Sequence, residues 1–370
     1  MNPRISEVVE LTRDLVSIKS SSLEDGEKEV AKYIRDYLSD LKIDSEIIEY
    51  QKGRCDIVAS VGKGDGLMLN GHMDTVPIGD SSRWKMGTEP LVKNGKVYGR
   101  GTSDMKGGIA AILASLKGMD LSKPKRRLVL AFVADEEVAL NGSKFLIEKR
   151  RSLLKGVRYG IIAEPTNLRI QIAQKGAMHI QVEIFGKSAH GSQPWEGESA
   201  ILKGAELIVG LEDLASNFRK KDKLMGRGTI NVGKIGGGTV TNVVPERCSV
   251  SIDRRIVPGE SIAEAELQIK RILGSIKAKY KMEVRFAHGP YKLDKSSQIV
   301  KLVQSSSKAP RLTWTTGYTE AELYHSGAGI RSVVFGPGRM EVIHKPDEFV
   351  EVENLKKATA VFGKVLQKWV

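Results

Sequence analysis

The chain has 370 residues, a formal net charge of +13 and 41% hydrophobic residues. That length predicts two domains, and that apolar content predicts packed cores rather than disorder. The longest apolar runs, such as Leu128 to Ala134, are too short to span a bilayer, and the opening MNPRISEVVELTRDL reads as a helix rather than a signal peptide.

Two amphipathic helices are predicted first, over Ile5 to Ile18 and over Gly26 to Leu41, with Val30, Ile34, Leu38 and Leu41 along one face of the second. Short strand-like runs follow at DSEIIEY, DIVASVG, GLMLNGH, RRLVLAFVA and YGIIAEP, and a helix, KGGIAAILASLKGM, intervenes after Asp104. Apolar strands alternating with helices predict a sheet covered on both faces. The texture changes near Lys175. There MHIQVEIFGKSAH alternates as a strand, SAILKGAELIVGLEDLA is helical, GTINVGKIGG and ERCSVSIDRRI are strands, and a helix near Glu260 leads to the strand MEVRFAH. That β-α-β-β-α-β order is a complete α+β unit. After about Pro290 come a helix (TEAELYHS), a strand (RSVVFGP) and a closing helix from Val352 to Trp369. The expected architecture is an α/β domain, a mixed sheet flanked by helices, interrupted by a smaller one. Residues 1–174 form its first part, 175–288 the insert and 289–370 its second part.

The positive charge has no nucleic-acid motif beside it. Lysines and arginines are interleaved with glutamates, as in ESIAEAELQIKRIL, so the charge reads as solvated helix faces, with steering of an anionic substrate left open. Cys55 and Cys248 are the two cysteines and nothing suggests that they pair, which fits a reduced, cytoplasmic protein without nucleic-acid or membrane partners.

The chemistry concentrates where apolar runs end. LMLNGHMDTVP turns from apolar to His72 and Asp74 and breaks at Pro77; buried, these two side chains are costly unless paired. At positions i and i+2 of an extended segment they share a face, so the aspartate can receive the N–H of a metal-bound imidazole. In GRGTSDMKGG, Asp104 sits among glycines where a loop enters a helix; an aspartate there repels phosphate, and no phosphate-loop motif is present. LVLAFVADEEV ends on Asp135, Glu136 and Glu137, three carboxylates that repel one another unless a cation compensates, and one N-cap does not account for all three. YGIIAEPTN ends on Glu164, and VVFGPGRMEVIHKPDEF places His344 after another strand. Together these groups fall at the edge where open α/β sheets build sites. Histidines and carboxylates around a central aspartate suit two hydrolytic divalent ions about 3.5–4 Å apart, with one carboxylate left as general base. His179, His288 and His325 read as structural.

These segments resemble the M20 metallopeptidase family, which includes acetylornithine deacetylase, succinyl-diaminopimelate desuccinylase, aminoacylase and glutamate carboxypeptidase. GHMDTVP, GRGTSDMKGG, DEEV, AEPT and IHKPDEF occur in the family's order and span essentially the whole chain. The resemblance implies a di-zinc catalytic domain of the aminopeptidase-like kind with an inserted lid that commonly dimerises. It implies that His72 and Glu164 hold one zinc, Glu137 and His344 the other, and Asp104 bridges them, with cobalt or manganese able to substitute. Asp74 would orient His72. Glu136 would be the general base that deprotonates the attacking water and passes the proton to the leaving amine. The Asp104–Met105 peptide is expected to be cis.

In the lid, GKSAHGSQPWEGESAI nominates His190 as donor to the scissile carbonyl, from its own or a partner subunit; GGGTVTNVVPERC offers Asn242, and DRRIVPGES offers Arg254 as a clamp for a substrate carboxylate. The family's Gly-Gly-Thr-Asp segment is replaced by TTGYTEAELY, so Gly317 and Glu320 occupy that slot. The implied activity is metal-dependent hydrolysis of the amide bond in a small N-acyl amino acid such as N-acetylornithine or N-succinyl-diaminopimelate. Alternatives are a carboxypeptidase or dipeptidase, a hydrolase of an aminoacylated acidic carrier protein, and a binding protein that has lost catalysis.

Overall fold

A computed structural model describes residues 6–23, 26–307 and 311–370. The chain forms two compact units. One runs to Ile172 and resumes over Leu293–Thr313 and Thr319–Val370; the other comprises Ala173–Lys292 with Trp314–Tyr318. The last short piece, read from sequence with the larger domain, joins the second unit because Tyr318 stacks on His288 and packs against Phe286.

In the first unit the opening helices are Glu7–Ser17 and Lys28–Asp40; Ile5, the expected start, lies outside the described residues. Val30, Ile34 and Leu38 are fully buried, and Leu41 is half-buried. The main strands lie side by side in the order Ser45–Gln51, Arg54–Val61, Arg127–Val133, Gly66–His72, Val157–Ile162, Arg331–Val334 and Ile170–Gln174. Neighbours among the four from Arg127–Val133 to Arg331–Val334 are parallel, and the outer pairings are antiparallel. Every residue of Gly66–His72 is buried, which is why this strand reads as an apolar run rather than an alternation. Helices Gly107–Leu116, Val352–Trp369 and Glu7–Ser17 pack on one another, and Asn141–Lys149 packs on Glu320–Ala328.

Register does the positioning. Asn70 pairs with Ile162 and His72 with Val133. His72 and Glu164 therefore both stand two residues beyond the Asn70–Ile162 pair, while the Asp135–Glu137 turn begins two residues beyond the partner of His72. Three chain segments far apart in sequence emerge level at the carboxyl edge of the parallel strands.

The second unit is an antiparallel sheet in the order Thr229–Gly237, Arg247–Ile256, Gly176–Phe185 and Lys279–His288. Helices Ala200–Ser216 and Ile262–Ser275 bury Leu207, Leu211, Ile269 and Leu273 against Ile180, Val182 and Val250. The element order is the β-α-β-β-α-β expected. Cys55 and Cys248 are buried free thiols. Among the described residues no helix is long and apolar enough to cross a membrane.

Candidate metal centre

The residues nominated at the strand ends converge within the first unit. His72 closes Gly66–His72, Glu136 and Glu137 open a one-turn helix just past Arg127–Val133, and Glu164 follows Val157–Ile162. Asp104 lies in the irregular turn that leads into helix Gly107–Leu116, and its peptide bond to Met105 is cis. Gly108 lets this helix approach the sheet edge: a Cβ there would stand 2.2 Å from the carbonyl oxygen of Ala163, the neighbour of Glu164.

Each oxygen of Asp104 faces a different imidazole, Oδ1 at 3.1 Å from Nε2 of His72 and Oδ2 at 3.2 Å from Nε2 of His344. Glu164 Oε1 lies 3.7 Å from Nε2 of His72, and Glu137 Oε2 lies 3.1 Å from Nε2 of His344. Two sets of donors thus share one aspartate. Glu136 offers an oxygen within 4.8 Å of donor atoms on His72 and Glu164. His72, Asp104, Glu136 and Glu164 are buried, whereas the His344 side chain is 48% exposed and marks the solvent side of the cluster.

Asp74 meets His72 chiefly through its backbone. The carbonyl oxygen is 3.0 Å from Nδ1 and the carboxylate Oδ1 3.5 Å. Nδ1 is thus turned to Asp74, and Nε2 to Asp104 and Glu164, where it would be the nitrogen left to hold a metal. The two carboxylate oxygens of Asp74 accept the backbone N–H groups of Glu136 and Glu137, both at 3.1 Å.

The charges are poorly matched without a cation. Burial, reinforced by Glu320, Glu137 and Asp74, pushes Glu136 well above the usual carboxylate range against the pull of His72. Burial and Asp104 do the same to Glu164. Burial also raises Glu137, opposed by its hydrogen bond with His344. Asp104 goes the other way: hydrogen bonds with His344 and His72 outweigh burial and hold it well below its ordinary value. Those with Asp104 and Glu137 raise His344 to about 10. Among the described residues, no lysine or arginine pairs with any of the five. Nitrogen and oxygen donors in excess negative charge, sharing a bridging carboxylate, fit a pair of divalent cations.

The remaining nominees belong to the second unit. His190 is exposed, with Nδ1 2.7 Å from Oγ of Ser192, and Gly191 donates to the carbonyl of the exposed Asn242 at 2.7 Å, so those two loops are fastened together. The Gly317 N–H bonds Oγ1 of Thr315 at 3.1 Å. Arg254 corrects the sequence reading. It is 1% exposed, pairs with Glu260 at 2.6 Å, donates to the Arg255 carbonyl and lies over the Phe218 ring at 4.0 Å, so its guanidinium is committed inside the unit. Strand alternation sends Arg254 to the covered face and the half-buried Arg255 to the other, beside Asp253 at 2.8 Å.

Glu320, seen in the sequence only as a departure in a loop, is a further carboxylate of the centre. It is fully buried, among the described residues neither of its oxygens receives a hydrogen bond from another residue, and burial pushes it up to about 7 against the pull of His72. His179 and His288 both pack on Phe286, in keeping with structural roles.

The comparisons with known proteins bear on the family and the fold. The profile of peptidase family M20/M25/M40 matches residues 68–368. Acetylornithine deacetylase of Proteus mirabilis is 29% identical, with 100% of this chain and 98% of the relative covered, and that of Aliivibrio fischeri is 30% identical, with 95% and 94% covered. Among solved structures, an M20 metallo-carboxypeptidase from Sulfolobus solfataricus superposes with a TM-score of 0.81 at 19% identity, covering 98% and 99% of the two chains. A tripeptidase from Staphylococcus aureus gives 0.79 at 23%, covering 98% and 97%. The chain belongs to peptidase family M20/M25/M40 and is a metal-dependent hydrolase of that family.

Proposed function

We propose that this hydrolase is a two-metal amidohydrolase that removes the acyl group from a small N-acyl amino acid, of the acetylornithine deacetylase type. The observation that carries the two-metal reading is the double engagement of Asp104, whose two oxygens face His72 and His344 at 3.1 and 3.2 Å. In this reading His72 and Glu164 would hold one zinc, His344 and Glu137 would hold the other, and Asp104 would serve both. The relatives named acetylornithine deacetylase support the substrate class.

Two bound divalent ions would supply the Lewis acidity that polarises the scissile carbonyl and acidifies the attacking water. Glu136, ionised beside the two cations, takes that water's proton and returns it to the leaving amine nitrogen; its oxygen lies within 4.8 Å of donor atoms on His72 and Glu164. Asp74 holds Glu136 and Glu137 by their backbones. His190 donates to the oxygen on which negative charge develops. Arg255 rather than Arg254 would meet a substrate carboxylate, in exchange for part of its pairing with Asp253, because it lies half-buried on the face of the strand opposite Arg254.

The second unit also supports a homodimer. Strand Thr229–Gly237 is at an edge of its sheet, and Leu202, Val209 and Ile235 are 66%, 70% and 52% exposed. An unpaired edge beside exposed apolar side chains suits a second copy of the chain.

The test is turnover of N-acetylornithine, N-succinyl-diaminopimelate, an N-acetyl amino acid and an acidic dipeptide after zinc or cobalt loading. Preferred cleavage of N-acetylornithine that a chelator abolishes is expected. Preference for the dipeptide would overturn the deacetylase reading, and activity unaffected by the chelator would overturn the metal one.

A further inference from the structure

Glu348 has no role in the scheme above, yet it is fully buried beside it. Its Oε1 accepts three backbone N–H groups, from Gly101 at 3.1 Å, Ser103 at 2.9 Å and Asp104 at 3.1 Å. Its Oε2 accepts Nη1 of Arg100 at 2.7 Å, and its own carbonyl accepts the Gly99 N–H at 2.9 Å. The residues that follow, Phe349–Glu351, pair antiparallel with Lys96–Tyr98, the strand leading into this turn.

The turn cannot satisfy itself. Gly101 has φ of 86°, a left-handed conformation that suits glycine, and Asp104 is non-helical at φ −125° and ψ 94°. Backbone N–H groups that point inward from such a turn need an acceptor, and together they form a backbone anion nest that the Glu348 carboxylate fills. Four residues before Glu348, the same segment carries His344, whose imidazole faces Oδ2 of Asp104. One short stretch of chain thus presents the second imidazole and fastens the backbone of the aspartate it faces.

We propose that Glu348 is a positioning residue that ties the Asp104 turn to the His344 segment and so fixes the spacing at which Asp104 is shared between two ions. The inference rests on the two-metal reading. Nothing in the scheme requires Glu348 to touch substrate; it acts through Asp104 and His344.

The test is a cobalt(II) titration of the full-length chain, stripped of metal, followed by heat and by the visible absorption of the bound ion. Wild type should take up two ions. Glu348→Gln keeps the shape but sets an amide N–H₂ against a donor, either Arg100 or the turn. The second ion is expected to bind about 10–100-fold more weakly, the usual cost of losing a partner behind a ligand, with an altered spectrum. Adding Arg100→Gln restores a donor–acceptor match between the two side chains and should recover part of that loss. Two ions bound to Glu348→Gln with wild-type affinity and spectrum would overturn the proposal. So would loss of the folded circular-dichroism signal in both the single and the double variant, since Glu348 would then serve the fold alone. Fewer than two ions on the wild-type chain would instead remove the two-metal reading, a separate result.

Discussion

Asp74 and Glu136 are joined through the backbone: Oδ1 of Asp74 accepts the Glu136 N–H at 3.1 Å, while Oδ2 accepts that of Glu137 at the same distance. The aspartate therefore reaches both members of the glutamate pair, and through its carbonyl it also holds His72. Asp74→Ala removes the acceptors for the glutamate turn and leaves the His72 contact to the backbone. The expected result is metal affinity lower by about 10–100-fold together with a reduced kcat, read by metal titration and steady-state kinetics. A variant with normal kcat and normal affinity would show that the turn holds itself.

Glu136 and Glu137 are neighbours with different tasks in the proposed scheme, and substitution separates them. Glu136→Gln should retain both ions and lose about 10²–10⁴-fold in kcat, the contribution typical of a positioned general base. Glu137→Gln should lose metal. Metal analysis beside kcat decides the matter: if the Glu136 variant is the one that loses an ion, the two assignments must be exchanged.

The sheet, the inserted unit and the groups around Asp104 were legible in the sequence because each rests on a local pattern. An apolar run that stops on His72 or Glu164 announces a buried strand and its end. Where the strands stand relative to one another is not local, so the shared level of His72 and Glu164 emerges only with the pairing of Asn70 and Ile162. Glu320 and Glu348 were missed as parts of the centre because a glutamate at a helix start or before a short strand looks like surface; tertiary packing alone makes both fully buried. Arg254 differs, because its burial follows from a local pattern. In RCSVSIDRRI the alternation that buries Cys248, Val250 and Ile252 also buries Arg254, and that alternation was visible in the sequence.

That inversion yields a test with opposite readouts at adjacent residues. Arg254→Met leaves Glu260 buried without its partner and should destabilise the protein by about 3–5 kcal/mol, with little change in KM for the protein that stays folded. Arg255→Ala should raise KM for a carboxylate-bearing substrate and leave thermal stability nearly intact. Denaturation curves and KM for the two variants give the answer, and a stable Arg254→Met enzyme with raised KM would reinstate the carboxylate clamp there.

His190 is exposed, and among the described residues its ring bonds only within its own loop, at Ser192, so its removal should not disturb the fold. His190→Ala is expected to lower kcat by about 10²–10³, the size seen when one donor to a developing oxyanion is lost. Unchanged turnover at saturating substrate would take His190 out of the reaction.

The pH dependence of the metal-free protein follows from groups that burial and neighbours displace. His344 is raised from 6.5 to about 10 by Asp104 and Glu137, so its contribution is complete below its unfolded value and is lost as pH climbs toward 10. Burial raises Glu27 from 4.5 to about 7 and Asp56 from 3.8 to about 8. In those windows the folded chain holds protons that the unfolded chain has released, so stability again falls as pH rises. Asp104 has the opposite sign, but its window lies below 3.8. The melting temperature of chelated protein should therefore drop from about pH 6 to about pH 9. Bound zinc requires a neutral His344 and ionised carboxylates, so zinc and protons compete and the stabilisation by zinc should widen over the same range. Thermal melts of chelated and zinc-loaded protein at both ends of that range test this directly. A gap that stays constant with pH would mean that the ions do not displace these protons, and His344 would lose its place among the ligands.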